Sequence, residues 1–276
     1  MKLKPLLYLF ILITIIISIF VWKYNSLDQL KVVFLDIGQG DSILIKAPDG
    51  QVVLIDGGPD KTVLSELSKY LPWWDKHIDL MILTHPHADH ATGLNYVLDD
   101  YQVDRIMATG VSHTASSYIS WWEQANNMDN LIIADKPMSV NLGDCDLNIL
   151  YPDFSILNQA VDNLNNTSIV SKLVCGQTKW LFAGDIEEET EQYLLDSNTD
   201  LSADVLKVAH QGSKTSSTLE FLQAVDPDIA VIIVGKNSFG HPSPLILNRL
   251  ERIAEKILRT DRDGSVELIS NGQEIW

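Results

Sequence analysis

The segment at residues 84–90, with the sequence THPHADH, constrains this chain more than any other feature. Within six residues it places three imidazoles and one carboxylate: His85, His87, Asp89 and His90. The apolar run before it, at residues 78–83, predicts a buried strand, and the residues after it have helical periodicity. The four side chains are therefore expected on a strand-to-helix loop, where open α/β sheets place their chemistry.

A divalent metal site is the interpretation that best accounts for this loop. Crowded imidazoles repel one another when protonated, whereas their neutral nitrogens and a carboxylate suit a borderline ion such as zinc. His85 and His87 would point to one side of an extended segment. The turn after them would bring Asp89 and His90 back to the same cavity, so that a second ion would lie beside the first. The alternative is a histidine-rich surface loop without a ligand.

Strand and helix signals recur twice in the same order along the chain. Strands are predicted at residues 31–36, 42–47 and 51–56, and again at residues 168–174 and 179–183. Each group is followed by alternating strands and helices. This order predicts an α/β fold with two packed mixed sheets and helices on both outer faces.

Five further segments accompany the histidine loop: residues 34–42 (FLDIGQGDS), 54–58 (LIDGG), 181–185 (LFAGD), 205–213 (VLKVAHQGS) and 240–242 (GHP). Together these motifs resemble the metallo-β-lactamase superfamily of metal-dependent hydrolases. In particular, they are similar to the extracytoplasmic hydrolase domain of the ComEC/Rec2 DNA-internalisation competence proteins. The resemblance covers about residues 30–276. It implies a four-layer αββα sandwich with metal ions at one edge between the sheets.

The resemblance also implies the ligands, which in chain order are His85, His87, Asp89, His90, Asp185 and His210. The first two would hold one ion and the others the second, with Asp185 shared. Two divalent ions are expected, with Zn²⁺ first and Mn²⁺ as the alternative. A hydroxide between them would be the nucleophile. Asp89 and His241 are the candidate catalytic residues, and His241 would bind a phosphoryl oxygen or protonate the leaving oxygen.

The chain departs from the family pattern at two places. Many superfamily members carry one more histidine on the loop before the strand at residues 168–174, where this chain has Asn163, Asn165 and Asn166. The first metal would then have fewer protein ligands and a position open to water or substrate. At the second place, Gln211 stands where a second histidine usually follows the first.

Other polar residues are expected to support the ligands or to meet the substrate. Asp56 and Asn166 are predicted to orient ligands through hydrogen bonds, with simple turn capping as the alternative for Asp56. Lys207, Ser213 and Lys214 are candidate phosphate contacts. For these three, ordinary solvated surface is the alternative interpretation.

Composition limits the class of partner. The chain has 46% hydrophobic residues, enough for one large catalytic domain, predicted at residues 27–276. With 20 Lys and Arg against 37 Asp and Glu, its net charge is -17. This charge argues against a broad nucleic-acid surface. It does not exclude a nuclease, because bound cations add positive charge within the cleft itself.

The first 26 residues read as a signal anchor. Residues 5–22 carry no charge, and this length is near the lower limit of about 17–25 residues for a spanning helix. Lys2 and Lys4 precede the run, so the positive-inside rule places the catalytic domain outside the membrane. A cleaved signal peptide is the rival interpretation, but no small-x-small cleavage pattern follows the run.

The two cysteines and two pairs of tryptophans are open to more than one interpretation. Cys145 and Cys175 are either disulfide-bonded or two buried thiols, because sequence does not give the distance between them. The tryptophan pairs at 73–74 and 121–122 could stack bases. Packing in the core or close to a membrane is the favoured interpretation for them.

Three functions follow as hypotheses. The first is a membrane-tethered, extracytoplasmic hydrolase of phosphodiesters, with DNA or nucleotides as substrates. The second is the same chemistry on another envelope ester, a lactone or a β-lactam. The third is a weakly catalytic module that assists a DNA-uptake or envelope assembly, and it would require a channel or envelope partner. The residues themselves indicate metal-assisted hydrolysis, whereas the substrate comes from the resemblance.

Overall fold

The computed structural model describes residues 8–15, 17–18 and 29–276. Residues 8–15 and 17–18 are helical, and their large apolar side chains are exposed. The spanning segment predicted at residues 5–22 thus lies partly outside the described residues. Within the residues that are described, no helix combines the length and the apolar character needed to cross a bilayer.

The strands between residues 29 and 276 are β1 (Leu30–Phe34), β2 (Ile43–Lys46), β3 (Val52–Ile55), β4 (His77–Ile78), β5 (Leu80–Ile82), β6 (Gln102–Val103), β7 (Ile106–Ala108), β8 (Leu131–Ile133), β9 (Met138–Leu142), β10 (Cys145–Tyr151), β11 (Val170–Cys175), β12 (Thr178–Phe182), β13 (Val205–Lys207), β14 (Ile229–Ile232), β15 (Lys256–Arg259) and β16 (Val266–Ser270). The helices are α1 (Thr62–Tyr70), α2 (Ala88–Asp100), α3 (Ser116–Asn126), α4 (Glu188–Asp196), α5 (Leu219–Val225), α6 (Pro244–Leu250) and α7 (Thr260–Asp263). Two 3₁₀ turns lie at Asn165–Thr167 and Ala209–Gly212.

Two seven-stranded sheets share one plan. The first has the order β16-β1-β2-β3-β5-β7-β8, and the second has the order β15-β14-β13-β12-β11-β10-β9. In each sheet a run of antiparallel strands is followed by parallel strands, which begin at β3/β5 and at β12/β13. The structure therefore confirms the prediction of two mixed sheets.

Alternating side chains on the central strands produce the layers. On β12, Trp180 and Phe182 point into the core between the sheets, where Phe182 lies 6.3 Å from Phe34 between ring centroids. Leu181, between them, points to the opposite face and belongs to a second core together with helices α4, α5 and α6. Since helices α1 to α3 pack on the first sheet, the order of layers is α, β, β, α.

The strands predicted from the sequence differ from the observed ones by one or two residues at their ends. Helix α6 ends at Leu250, because the next residues form i→i−3 turns such as Ile253 N to Leu250 O. The strand predicted to begin at Ser168 begins at Val170. The backbone N–H of Ile169 leaves the sheet and donates to Thr84 O at 3.0 Å, which ties this loop to the histidine loop.

Cys145 and Cys175 form a disulfide between neighbouring strands. They lie directly opposite each other in the register of β10 and β11, and both are buried. Of the two alternatives that the sequence left open, the structure therefore has the disulfide.

Gly93 fixes the position of helix α2, which carries His90. A Cβ atom on Gly93 would lie 1.7 Å from the carbonyl oxygen of Gly57, and Gly93 N donates to Gly58 O at 2.9 Å. Gly93→Ala is therefore expected to destabilise the fold by about 1–3 kcal/mol through overpacking. In an open helix interior the same change would stabilise by about 1 kcal/mol.

Urea unfolding measures this effect. Thr92→Ala in the same helix is the control, because the contact with Gly57 is made by Gly93 and not by the Thr92 side chain. The control is expected to change the unfolding free energy by about 0.5 kcal/mol or less. An unchanged or increased stability of the Gly93 variant would show that the helix can move away from the turn.

Candidate metal centre

The loops that carry the predicted ligands lie where the parallel strands of both sheets end. Asp56 follows β3 and His85 follows β5, which are neighbours in the first sheet. Asp185 follows β12 and His210 follows β13, which are neighbours in the second. Because the carboxyl ends of parallel strands lie at one edge, and the two sheets pack face to face, four separate loops converge there.

His85 and His87 form the first pair of donor atoms. Nε2 of His85 lies 3.0 Å from Nδ1 of His87. Thr84 Oγ1 donates to Asp56 Oδ2 at 2.7 Å, so its oxygen is left to accept from His85 Nδ1 at 3.1 Å. With the proton assigned to Nδ1, Nε2 of His85 has a free lone pair. Two nitrogens bound to one tetrahedral zinc ion lie about 3.3 Å apart, close to the separation found here.

His90 and Asp185 form the second pair. His90 is fully buried, and its Nδ1 bonds Asp56 Oδ2 at 2.8 Å. Its Nε2 makes no hydrogen bond and lies 3.3 Å from Asp185 Oδ2. Donor atoms of His85, His90 and Asp185 all lie within 4.8 Å of one another. A carboxylate that fixes one ring nitrogen while the other points to a ligand position is typical of metal-binding histidines.

The electrostatics of the pocket favour a cation between the carboxylates. Burial, followed by the neighbouring His90, holds the pKa of His85 well below its usual range, so His85 is neutral. Burial alone would lower the pKa of His90, but Asp185 and Asp56 outweigh it and raise that pKa well above the usual value. Burial alone would raise the pKa of Asp185, and His90 and Lys207 reverse this and hold it well below its usual range.

Lys207 takes a different place from the one predicted for it. The side chain is 1% exposed, so the prediction that it meets a substrate phosphate is wrong. Its Nζ donates to Gly184 O at 2.8 Å, pairs with Asp41, and lies 3.4 Å from Asp185 Oδ1. Burial raises the pKa of Asp41 to about 7, although Lys207 opposes this effect. Lys207 therefore holds the back of the Asp185 carboxylate, away from the cleft.

Asp89 lies at the open side of the pocket. Gln211 Nε2 donates to Asp89 Oδ2 at 3.2 Å, and Gln39 contacts Gln211. The residue that replaces the second histidine of the family pattern thus positions a predicted ligand. The turn containing Gln39 lies directly on the loop, since a Cβ on Gly40 would lie 2.0 Å from Asp89 O.

His210 is oriented by a residue that sequence reasoning missed. Its Nδ1 lies 3.2 Å from Glu187 Oε1, which leaves Nε2 as the other ring nitrogen. Its backbone is left-handed, with φ 46°, as is that of Gln211, with φ 53°. Such conformations cluster at functional sites. Glu187 reads in sequence as an acid at a helix start, which the helix dipole favours, so no signal identified its contact with His210.

All three asparagines bond to Glu187 rather than to the histidine loop. Asn163 Nδ2 donates to Glu187 Oε2 at 2.7 Å, and Asn166 accepts from Glu187 N at 2.8 Å. Asn165 donates to Glu187 Oε1 at 3.1 Å, lies 3.4 Å from His210 Nδ1, and has a buried Oδ1 without a partner. The hydrogen bonds of Asn166 therefore reach His210 only through Glu187, whereas Asn165 faces the histidine directly.

His241 lies beside His210, with 5.4 Å between ring centroids. Its Nδ1 is buried without a hydrogen-bond partner, and burial, followed by His210, lowers its pKa. Asn237 fixes the loop, because its Oδ1 accepts from the backbone of residues 239–241. Among the other predicted contacts, Lys214 is exposed and Ser213 is buried.

The residues present fit a divalent ion at this place. The donor atoms are imidazole nitrogens and carboxylate oxygens, the set that zinc and similar ions accept. The buried Nε2 of His90, which has no hydrogen-bond partner, is the atom that most needs one. The identity of the metal does not follow from this donor set.

Glu187→Gln tests the orienting role of Glu187. The amide keeps the size of the side chain but weakens the charge-assisted contact with His210, so metal affinity is expected to fall about 10–100-fold. Competition with a chromogenic chelator measures the affinity. Glu188→Gln, at the next position along the chain, is the matched control and should bind metal as the wild type does. Equal affinities for both variants would contradict the assignment.

Comparison with known proteins places the chain in a family. The family model described as the metallo-beta-lactamase superfamily matches residues 35–236. ComE operon protein 3 of Bacillus subtilis is 32% identical over 92% of this chain and 34% of its own length. Recombination protein 2 of Haemophilus influenzae is 27% identical over 93% of this chain and 31% of its own. The chain therefore spans about a third of the length of these curated relatives.

The fold agrees with the sequence match. The metallo-beta-lactamase fold protein YhfI from Bacillus subtilis superposes with a TM-score of 0.58 over 88% of this chain and 100% of that one, at 13% identity. This likeness concerns the fold alone. Because the family model covers most of the chain, and the two sheets bring the motif residues to one edge, the chain belongs to the metallo-β-lactamase superfamily.

Proposed function

We propose that the chain is a binuclear metal-dependent hydrolase of phosphodiesters, with DNA or nucleotides as substrates. One observation carries the catalytic part of the proposal. Two separate pairs of donor atoms, His85 with His87 and His90 with Asp185, lie 3.0 and 3.3 Å apart in one pocket. Each separation suits two ligands of a single ion. His85 also lies within 4.8 Å of the donor atoms of His90 and Asp185, so the two proposed ion positions would be adjacent.

The side chains would divide the work as follows. His85 and His87 would hold one ion, and His90, with Asp89 and His210, the other, with Asp185 shared. Two divalent ions bound there would supply an activated water and stabilise negative charge on a phosphoryl group. The hydrogen bond from His90 to Asp56 keeps the ring nitrogen that faces the pocket free.

The substrate class rests on the relatives and on the cleft. Relatives over this region include proteins described as competence protein ComA and ComE operon protein 3. DNA as the substrate follows from the resemblance of the motifs to the DNA-internalisation competence proteins. Because the chain has a net charge of -17, an anionic substrate would be attracted mainly within the cleft, where bound cations would supply positive charge. There, His241 lies beside His210, where its ring can donate a hydrogen bond to a phosphoryl oxygen.

The test uses the full chain in detergent, stripped with a chelator and reloaded with Zn²⁺ or Mn²⁺. Bis-(p-nitrophenyl) phosphate, single-stranded DNA, p-nitrophenyl acetate and nitrocefin are supplied in parallel. We expect metal-dependent turnover of the diester and DNA and no turnover of nitrocefin. Hydrolysis of the acetate or of nitrocefin without the diester would favour the second hypothesis, an ester or lactam hydrolase.

A weakly catalytic accessory module, the third hypothesis, is the other candidate function. The observation that favours it is the replacement of two family histidines, by the asparagines at 163–166 and by Gln211. Binding of DNA with full metal content and no turnover of any substrate would support this candidate over the first. It would also require a channel or envelope partner.

We also propose that the catalytic domain works outside the cytoplasm. The disulfide between Cys145 and Cys175 supports this location, because such bonds persist in oxidising compartments and are rare in the cytosol. Alkylation of the denatured chain, taken directly from cells, reports the state of both cysteines. Two free thiols would contradict the proposed location.

A further inference from the structure

Exposed tryptophans are concentrated at one end of the described domain. Trp73, Trp74 and Trp276 are 82%, 71% and 52% exposed, and the rings of the first two lie 5.5 Å apart. The other tryptophans between residues 29 and 276 are buried or partly buried. Large aromatic side chains that remain in water in this way mark an interaction surface.

The three side chains flank the amino end of β1. The backbone carbonyl of Tyr70, three residues before Trp73, accepts a hydrogen bond from Lys46 Nζ at 3.2 Å. Lys46 lies opposite Lys31 in the register of β1 and β2. On the other side of β1, Trp276 exchanges two backbone bonds of 3.0 Å with Ile269, which also lies opposite Lys31. Trp73 and Trp74 on one side of β1, and Trp276 on the other, therefore lie at the same end of the first sheet.

This end is opposite to the metal centre. β1 and β3 run in the same direction, because each is antiparallel to β2 between them. The predicted ligands follow the carboxyl ends of the parallel strands, whereas the tryptophans lie at the amino ends. Stacking of Trp73 and Trp74 on a base held at the metal centre is thereby excluded.

The chain also reaches the sheet at this end. Leu30 begins β1, and the uncharged run at residues 5–22 precedes it in the sequence. Lysines around the surface are paired with acids: Lys31 with Glu267, Lys69 with Glu66, and Lys76 with Asp100. These lysines therefore leave little free positive charge around the exposed rings.

We propose that Trp73, Trp74 and Trp276 insert into the headgroup region of a lipid bilayer, with the metal centre facing away from the membrane. Indole rings prefer this region because they combine an apolar body with a polar N–H group. Asp204, Asp228 and other acids line the cavity next to Trp276, so a zwitterionic lipid suits the surface better than an anionic one. The proposal does not depend on the reaction catalysed.

Fluorescence quenching in the full chain tests the proposal. Trp22 is first replaced by phenylalanine, so that the residues before β1 add no tryptophan signal. The W22F chain is reconstituted into phosphatidylcholine vesicles, with or without lipid brominated near the start of one acyl chain. We expect quenching by the brominated lipid in W22F and loss of most of the quenchable signal in W22F/W73F/W74F.

W22F/W122F is the matched control, because Trp122 lies on helix α3, away from the proposed surface, and its removal should leave the quenchable signal intact. Equal emission of W22F in plain and brominated vesicles would overturn the proposal. Quenching by acrylamide in detergent, without vesicles, is a second check. If Trp73 and Trp74 became more shielded from acrylamide as the protein concentration rises, a second copy of the chain would cover this surface, and the proposal would be overturned.

Discussion

Asp185→Asn is expected to reduce hydrolysis of a phosphodiester about a thousandfold or more. Metal ions supply several kcal/mol of charge stabilisation in such reactions, and each 1.36 kcal/mol corresponds to about a factor of ten. Asp185 lies 3.3 Å from His90 Nε2 and is the carboxylate proposed to serve both ions. The amide keeps its shape but removes the negative charge, so bound metal is expected to fall together with the rate.

Metal content by mass spectrometry and turnover of bis-(p-nitrophenyl) phosphate are the two measurements. Asp153→Asn is the control, because Asp153 is an exposed acid that contacts Tyr193 and none of the predicted ligands. A folded Asp185 variant with normal metal content and normal turnover would remove the basis of the proposed function. Loss of metal without loss of turnover would show that the reaction does not require the bound ions.

Lys207→Met is expected to lower the free energy of unfolding by about 3–5 kcal/mol, measured with a chelator present. The substitution keeps an unbranched side chain of similar length but leaves Asp41 and Asp185 buried without their shared cation. Removing one partner of a buried ion pair is costly because the remaining charge has no compensation. Urea unfolding monitored by circular dichroism gives the value.

Lys172→Met is a matched control within the second sheet. Lys172 pairs with Asp200, whose side chain is 71% exposed, so its loss is expected to cost about 1 kcal/mol or less. The double variant Lys207→Met with Asp41→Asn should recover part of the stability, because one uncompensated carboxylate is removed. A cost for the Lys207 variant that equals the control would show that water reaches and solvates these carboxylates.

The sequence predicted the parts of the site that depend on local pattern. The histidine loop, the strand before it and the turns at Asp185 and His210 are short-range signals, and the structure brings them to one sheet edge. The two mixed sheets followed from the repeated order of strands and helices. The superfamily was likewise evident from motifs, and the family match confirms it.

The contacts that orient the ligands were not predictable in the same way. Ser168 Oγ lies 3.2 Å from His85 Nδ1 and accepts from Asp185 N, yet these residues are far apart in the chain. Glu187 has an ordinary helix-start explanation, and a lysine at a strand end, such as Lys207, reads as solvent-exposed. Each of these roles exists only once the two sheets have packed together.

Because His85 and His90 come from the first sheet and Asp185 and His210 from the second, neither half of the domain contains a complete ligand set. Any ion in the pocket would therefore cross-link the halves and hold them together. Binding to the folded state alone would add about 4 kcal/mol of stability when the free ion is a thousandfold above its dissociation constant. Metal supply would then control the survival of this protein as well as its chemistry.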